Sequence, residues 1–231
     1  MSARHRVLII TMMSLCLAPR CTGQATTQSC PPGGAESPQV SPASNADVMG
    51  LAQQIGAASF PELARVKFQI TDFDSPNDFF RTRFSLPRFV FLLPMRYSVQ
   101  VNPRLFTEQA PVSGVCAILA HELSHLTALS RGNRIRRLGL VRLVSGSYTT
   151  RFERQTDLEA IHRGYGEGLK VYRNWVYSHI ALGKVAEKKQ RYFSPEEIDA
   201  IEQRLREQPE ILTYWRKHVP LSLDDVRKGP R

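Results

Sequence analysis

The chain has 231 residues, 42% of them hydrophobic, with 31 Lys plus Arg, 21 Asp plus Glu and four cysteines. These values exclude a repeat array, a collagen, a disordered tail and a multi-pass membrane protein, and they describe one ordinary folded domain. The net charge of +10 is partly local: Arg4, Arg6 and Arg20 precede Gln24 with no acidic residue among them, so a chain beginning at Gln24 carries a dispersed +7. Roughly 200 residues suffice to bury a core without disulfide or metal staples, so a metal bound here is expected to be catalytic rather than structural.

Met1 to Arg6 carries two arginines, Val7 to Ala18 is uncharged and apolar or small, and Pro19 ends the run. This is the charged start and short apolar core of a secretory signal, predicted over residues 1–23 with cleavage near Gly23 or Ala25. Twelve helical residues rise only about 18 Å, short of a hydrocarbon core of about 30 Å, so the run is not read as a membrane span. Export predicts a periplasmic or extracellular protein. Cys21, soon after the apolar run, offers the alternative of a lipid anchor, although Arg20 stands where a lipobox wants a small residue. An exported chain can also form disulfides, and Cys21 with Cys30 is the pair this region offers. Cys116 falls inside a predicted buried helix and is read as a free thiol acting as a small hydrophobe.

Residues 24–45 are rich in Gln, Ser, Thr, Pro and Gly and read as a flexible linker that cannot offset its ordering entropy; residues 46–231 form the folded domain. Asn45 is a good N-cap for a modest helix to about Ala57. Three β-like runs follow, Val66 to Thr71, Phe89 to Leu93 and Tyr97 to Val101, and predict a small sheet. Pro111 precedes a long helix over about 112–130, in which Val115, Leu119, Leu126 and Leu129 recur at helical spacing. A basic stretch with Arg131, Arg134, Arg136, Arg137 and Arg142 leads to a second helix from about Tyr148 to beyond Trp175, bent in the region of Gly164 to Gly168. Ser194-Pro195-Glu196-Glu197 is a capping box with Pro at the first helical position, opening a helix to about Glu207. The expected fold class is α+β, a single mostly helical domain with a small sheet.

The chemistry sits in the first long helix, as His121-Glu122-Leu123-Ser124-His125. Residues four apart on a helix differ by about 40° in azimuth, so the two imidazoles point the same way and can share one Zn²⁺. Glu122, rotated by about 100°, lies beside the metal and is placed to act on a bound water as general base and acid. Composition alone gives about 0.01 matches to HExxH in a chain of this kind, so chance is a poor explanation. Flanking Ile118, Leu119 and Leu126 bury the motif, where two histidines and a glutamate without partners would be costly.

A catalytic zinc needs a third protein ligand. The candidates are Glu153, Asp157, Glu159 and His162, all on the second helix. Glu153 and Asp157 share a face that continues through Ala160, Gly164 and Gly168, small residues that let another helix come close; Glu159 and His162 point elsewhere. Glu153 is therefore predicted to be the ligand. Asp157 is assigned to a hydrogen bond behind the metal, with a zinc-binding histidine or with the ligand itself.

His121 to His125, followed by Glu153-Arg154-Gln155-Thr156-Asp157, resembles the HExxH plus ExxxD pattern of gluzincin zinc peptidases, in particular the minigluzincin branch with its HtpX-like, CAAX-prenyl-protease-like and BepA-like enzymes. The likeness extends to Val99-Gln100-Val101-Asn102-Pro103 and Ile118-Leu119-Ala120, so it spans roughly Tyr97 to Leu169. It implies a zincin-like fold in which Tyr97 to Val101 is the sheet edge bordering the cleft, where a substrate chain adds as a strand. The 27 residues between His125 and Glu153 are fewer than that branch usually has. His218-Val219-Pro220 and Arg227 are loosely similar to its His-Pro and Arg motif, which would make His218 a transition-state stabiliser.

The resulting expectation is an exported zinc-dependent endopeptidase acting on polypeptides, envelope proteins among them. The competing reading is a zincin fold kept as a non-catalytic binding or chaperone-like protein of the envelope, against which Glu122 argues, since a scaffold has no need of that carboxylate. The basic stretch over residues 131–142 is expected to make at most peripheral contact with anionic membrane or cell-wall polymer. Export argues against nucleic acid as a partner.

Overall fold

Ser44 opens the first helix, α1 (Asn45–Ser59), its hydroxyl accepting the Asp47 N–H at 3.2 Å. The cap stands one residue ahead of Asn45, whose side-chain amide reaches across to Asp72 at 2.6 Å. The computed structural model describes residue 30 and residues 41–85, 87–88, 91, 93–130 and 146–228, without the side chains of 146–148. The expected signal, most of the linker, Cys21 and the basic stretch over residues 131–142 lie outside the described residues. So do Phe89, Val90 and Leu92; Phe91 and Leu93 are described, and neither is in a strand.

A short 3-10 turn (Pro61–Leu63) leads into three strands, β1 (Phe68–Asp72), β2 (Phe80–Phe84) and β3 (Tyr97–Val101). Their order is β1-β3-β2, with β1 parallel and β2 antiparallel to β3. Tyr97 to Val101, expected at the sheet edge, is therefore the central strand. Its pattern accounts for this: Tyr97, Val99 and Val101 are all buried, and both of its backbone edges are paired. β2 carries no clear strand signal in the sequence because Arg81 and Arg83 dilute it. In the sheet they point to one side, and Phe80, Thr82 and Phe84 to the other.

The helices follow: α2 (Arg104–Thr107), α3 (Val112–Ser130), α4 (Gly146–Ala160), a π-helical turn (Ile161–Tyr165), α5 (Gly166–His179), α6 (Leu182–Arg191), α7 (Pro195–Glu207), α8 (Ile211–Trp215) and α9 (Leu223–Lys228). The domain is a mostly helical α+β unit with a small mixed sheet, as the sequence predicts. α3 has the limits expected and is buried along nearly its whole length. Among the described residues it is the one helix long and apolar enough to cross a membrane, and burial on all sides makes it the core helix. α1, α4, α5 and β2 pack around it.

The bend between α4 and α5 falls at Gly164, whose φ of 89° is left-handed and suits glycine. Beyond it, Gly168 lets α5 meet α3 directly. A Cβ there would stand 2.5 Å from the Ser113 carbonyl oxygen and 2.7 Å from the Ala117 Cβ. On the α4 side, the buried Arg154 guanidinium bonds Glu197 at 2.8 Å and the carbonyls of Lys189 and Gln190, fastening α4 to the end of α6 and the start of α7. The predicted capping box at Ser194 is formed, with Glu197 serving both the cap and Arg154.

The cysteines depart from expectation. Cys116 is bonded to Cys30, with Cα atoms 5.7 Å apart across a sequence separation of 86, so it is neither a free thiol nor is Cys30 paired with Cys21. Helical periodicity marks Cys116 as buried but does not show which segment covers it. A disulfide of this kind belongs to an oxidising compartment, in keeping with export.

Candidate metal centre

α3 carries His121 and His125 one turn apart, and α4 lies across them with Glu153 and Asp157 on its facing side. The His121 and His125 Nε2 atoms are 3.1 Å apart, and Glu153 Oε2 lies 3.2 Å from the first and 3.0 Å from the second. His121 and His125 are buried and Glu153 is half-buried. Atoms bound at 2.0–2.1 Å around a tetrahedral ion stand about 3.3 Å from one another, so this triangle has the size of one face of such a site.

The neighbours fix which atoms carry protons. Asp157 Oδ1 lies 2.7 Å from His121 Nδ1 and, as an ionised carboxylate, accepts its N–H. The Thr156 hydroxyl donates to the Phe152 carbonyl at 2.8 Å, which leaves its oxygen to accept from His125 Nδ1 at 3.3 Å. In their neutral forms both rings would therefore turn a lone pair on Nε2 towards the Glu153 carboxylate, and without a metal a proton on His121 Nε2 takes the cation's place. Three lone-pair atoms within 3.2 Å, sheltered from water, repel one another unless a cation sits among them. Two imidazoles and a carboxylate suit a divalent transition metal.

The electrostatics favour positive charge in the same way. Burial opposes a charged His121, yet the charge and hydrogen bond of Asp157, with help from Glu153 and Glu122, raise its pKa to about 10. Burial would raise Glu153, and His125 and His121 instead hold it below the ordinary carboxylate range. Asp157 is fully buried, and Arg173 and His121 keep it ionised against that burial. It accepts from Arg173 Nη2 at 2.8 Å and from the Phe193 N–H at 3.0 Å, so α3, α4, α5 and the turn before α7 meet at one carboxylate.

Glu122 is buried beside the triangle. Its Oε2 accepts from the Thr82 hydroxyl of β2 at 2.6 Å, so the carboxylate does not complete the triangle and is held towards the sheet. Next to it a cavity of about 30 Å³ opens between His121, Glu122, Tyr172 and Tyr192, room for a water. The Tyr192 ring lies 5.9 Å from that of His121 and is covered by the Arg173 guanidinium at 4.4 Å. Burial and the Glu153 charge push the Tyr192 phenol well above its usual pKa, so at neutral pH it is a proton donor.

The structure thus brings together His121, Glu122, His125, Glu153 and Asp157. Glu159 pairs with Arg216 at 2.6 and 2.9 Å and His162 is exposed, both away from the triangle. His218 is exposed and stacks on Tyr214 at 4.5 Å, outside the cluster. Thr82, Thr156, Arg173 and Tyr192 escape the sequence reading. Thr156 could have been found from its place one residue before Asp157; the others lie on elements whose approach to α3 no local pattern announces. A second acidic group, Glu167, Asp199 and Glu202, gathers around the Lys170 ammonium, which already supplies the cation. The chain matches no protein-family model, no curated protein and no solved structure.

Proposed function

We propose that the protein is a zinc-dependent endopeptidase of an oxidising, extracytoplasmic compartment, built on the gluzincin plan that its motifs resemble. The observation that carries this reading is the convergence of His121 Nε2, His125 Nε2 and Glu153 Oε2 within 3.2 Å, with Glu122 buried beside them and bonded elsewhere. His121, His125 and Glu153 would hold the metal. Bound zinc would polarise a scissile carbonyl and lower the pKa of a coordinated water.

The remaining work falls to this chain's own groups. Asp157 fixes the His121 ring and Thr156 the His125 ring, so both Nε2 atoms keep their aim without reorganising. Glu122 takes the proton of the attacking water at its carboxylate and later passes it to the leaving amine; Thr82 orients it through the 2.6 Å bond. Tyr192, protonated at neutral pH, can donate to a developing oxyanion. A polypeptide is read as lying along the outer edge of β2, which has β3 on its other side and carries Thr82. Strand addition there brings a peptide bond past Glu122 and gives affinity through main-chain hydrogen bonds without demanding a particular side chain.

The test has two readouts. Purified protein is expected to hold one zinc per chain and to cleave an unfolded polypeptide, and Glu122→Gln is expected to keep the zinc and lose at least about a hundredfold in turnover. Zinc with no cleavage by either protein would favour the non-catalytic binding protein; undiminished cleavage by the variant would remove Glu122 from the mechanism.

A further inference from the structure

Residues 85–96, between β2 and β3, read Ser-Leu-Pro-Arg-Phe-Val-Phe-Leu-Leu-Pro-Met-Arg. Phe91 is 74% exposed and Leu93 47%, and Phe91 is the most exposed aromatic side chain among the described residues. Single exposed apolar side chains are ordinary, whereas two on one turn within an apolar run are not. The turn is built to hold them out. The Phe91 N–H donates to the Pro87 carbonyl and the Leu93 N–H to that of Arg88, both at 2.9 Å, and Arg88 Nη1 donates to the Pro94 carbonyl at 3.1 Å. Ser85 N–H to the Arg96 carbonyl, 3.0 Å, closes the hairpin beneath.

The turn and the strand ends beside it are basic in sequence: no acidic residue occurs between Asp78 and Glu108, and of the arginines in that interval Arg83, Arg88 and Arg96 lie at this end of the sheet, Arg81 and Arg104 towards the other. The register sets Phe68, Tyr97 and Phe84 in one row across the sheet, so Lys67 and Arg96 stand at the same end as the turn. Arg65, Lys67, Arg83 and Arg96 are all exposed there.

We propose that this end of the sheet docks on an anionic phospholipid bilayer. Phe91 and Leu93 enter the boundary between headgroups and acyl chains, and Arg65, Lys67, Arg83 and Arg96 lie against the phosphates. An apolar tip ringed by cations fits a surface that is apolar below and anionic throughout its plane. A protein partner would instead need an apolar socket with an acidic rim of matching shape. β2 runs from this surface to Thr82, about 10 Å from Ser85 along the strand, so docking would hold the metal centre close to the bilayer. The inference does not depend on peptidase activity.

The test uses the exported protein with vesicles of phosphatidylglycerol mixed into phosphatidylcholine, against phosphatidylcholine alone. Wild type is expected to sediment with the anionic vesicles and about tenfold less in about 0.5 M salt, where charges are screened beyond a few ångströms. The double variant Phe91→Asp with Leu93→Asp is expected to bind at least about tenfold more weakly while keeping the wild-type circular dichroism, since both side chains are exposed. Phe91→Trp reports locally: its emission should shift to the blue and be quenched by brominated acyl chains, whereas Trp175 and Trp215 are buried. Equal binding by wild type and the double variant, or emission that vesicles leave unmoved, overturns the proposal. So does the absence of any vesicle binding, which would assign the patch to a protein partner.

Discussion

Asp157 Oδ1 stands 2.7 Å from His121 Nδ1 and accepts at the same time from the Arg173 guanidinium at 2.8 Å. One carboxylate thus orients an imidazole of the candidate metal triangle and neutralises a cation that is itself buried, 4% exposed. The two duties can be separated by experiment.

Asp157→Asn keeps the size of the side chain and removes its charge. Loss of the carboxylate behind a metal-bound histidine typically weakens metal binding by about 10–100-fold, and an uncompensated buried guanidinium costs about 3–5 kcal/mol. The variant is therefore expected to lose both zinc affinity, read by chelator competition, and stability, read by urea unfolding of the metal-free protein. Adding Arg173→Met should restore much of the stability and none of the affinity. Restoration of both by the second substitution would show that Asp157 acts on the metal only through the general integrity of the fold.

The pH dependence of the metal-free protein has a definite sign. The folded pKa of His121 is about 10, above the roughly 6.5 of an unfolded histidine. Its proton therefore stabilises the fold fully below about pH 6.5, and that contribution is lost as pH rises towards 10. Metal must displace the same proton, so binding near pH 7 is expected to release about one proton and to tighten about tenfold per pH unit up to that range. Calorimetry in buffers of different ionisation enthalpy measures the release directly; a binding heat independent of buffer would mean that His121 is already neutral before metal arrives.

What the sequence makes legible is local. His121 and His125 are one turn apart, as are Glu153 and Asp157, and helix geometry alone pairs each couple on a face. Gly168 could be named as a point of close helix approach because it continues the Glu153 face. Thr82, 40 residues from Glu122, and Arg173, 16 from Asp157, could not be placed, since their roles follow from how β2 and α5 dock on α3. The strand order was hidden for the same reason. Alternation makes Tyr97 to Val101 a strand, but whether it is paired on one edge or both depends on β2, whose Arg81 and Arg83 mask it.

Thr82 supplies a test of how Glu122 is held. Thr82→Val keeps the shape of the side chain and removes the hydroxyl that donates to Oε2 at 2.6 Å. Metal content should be unchanged. In an assay on an unfolded polypeptide, kcat is expected to fall about tenfold to a hundredfold, with little effect on KM, because a misaligned base loses part of the usual acid–base contribution. Thr82→Ser should recover most of it. Full activity in Thr82→Val would mean that the carboxylate does not need the Thr82 hydroxyl to be oriented.

The Cys30–Cys116 bond ties the segment before α1 to the core helix, five residues ahead of His121. It closes a loop with a sequence separation of 86, long enough for the unfolded chain to lose much of its freedom. Reduction or Cys116→Ser is therefore expected to cost about 2–5 kcal/mol, read as a lower Tm and urea midpoint. Neither sulfur belongs to the metal triangle, so zinc stoichiometry at 25 °C should not change. The decisive comparison adds reductant to both proteins. Wild type should fall to the level of Cys116→Ser, and the variant should not respond. An equal response in both would assign the reductant's effect elsewhere, and no response in either would show that the bond contributes nothing to the stability of the fold.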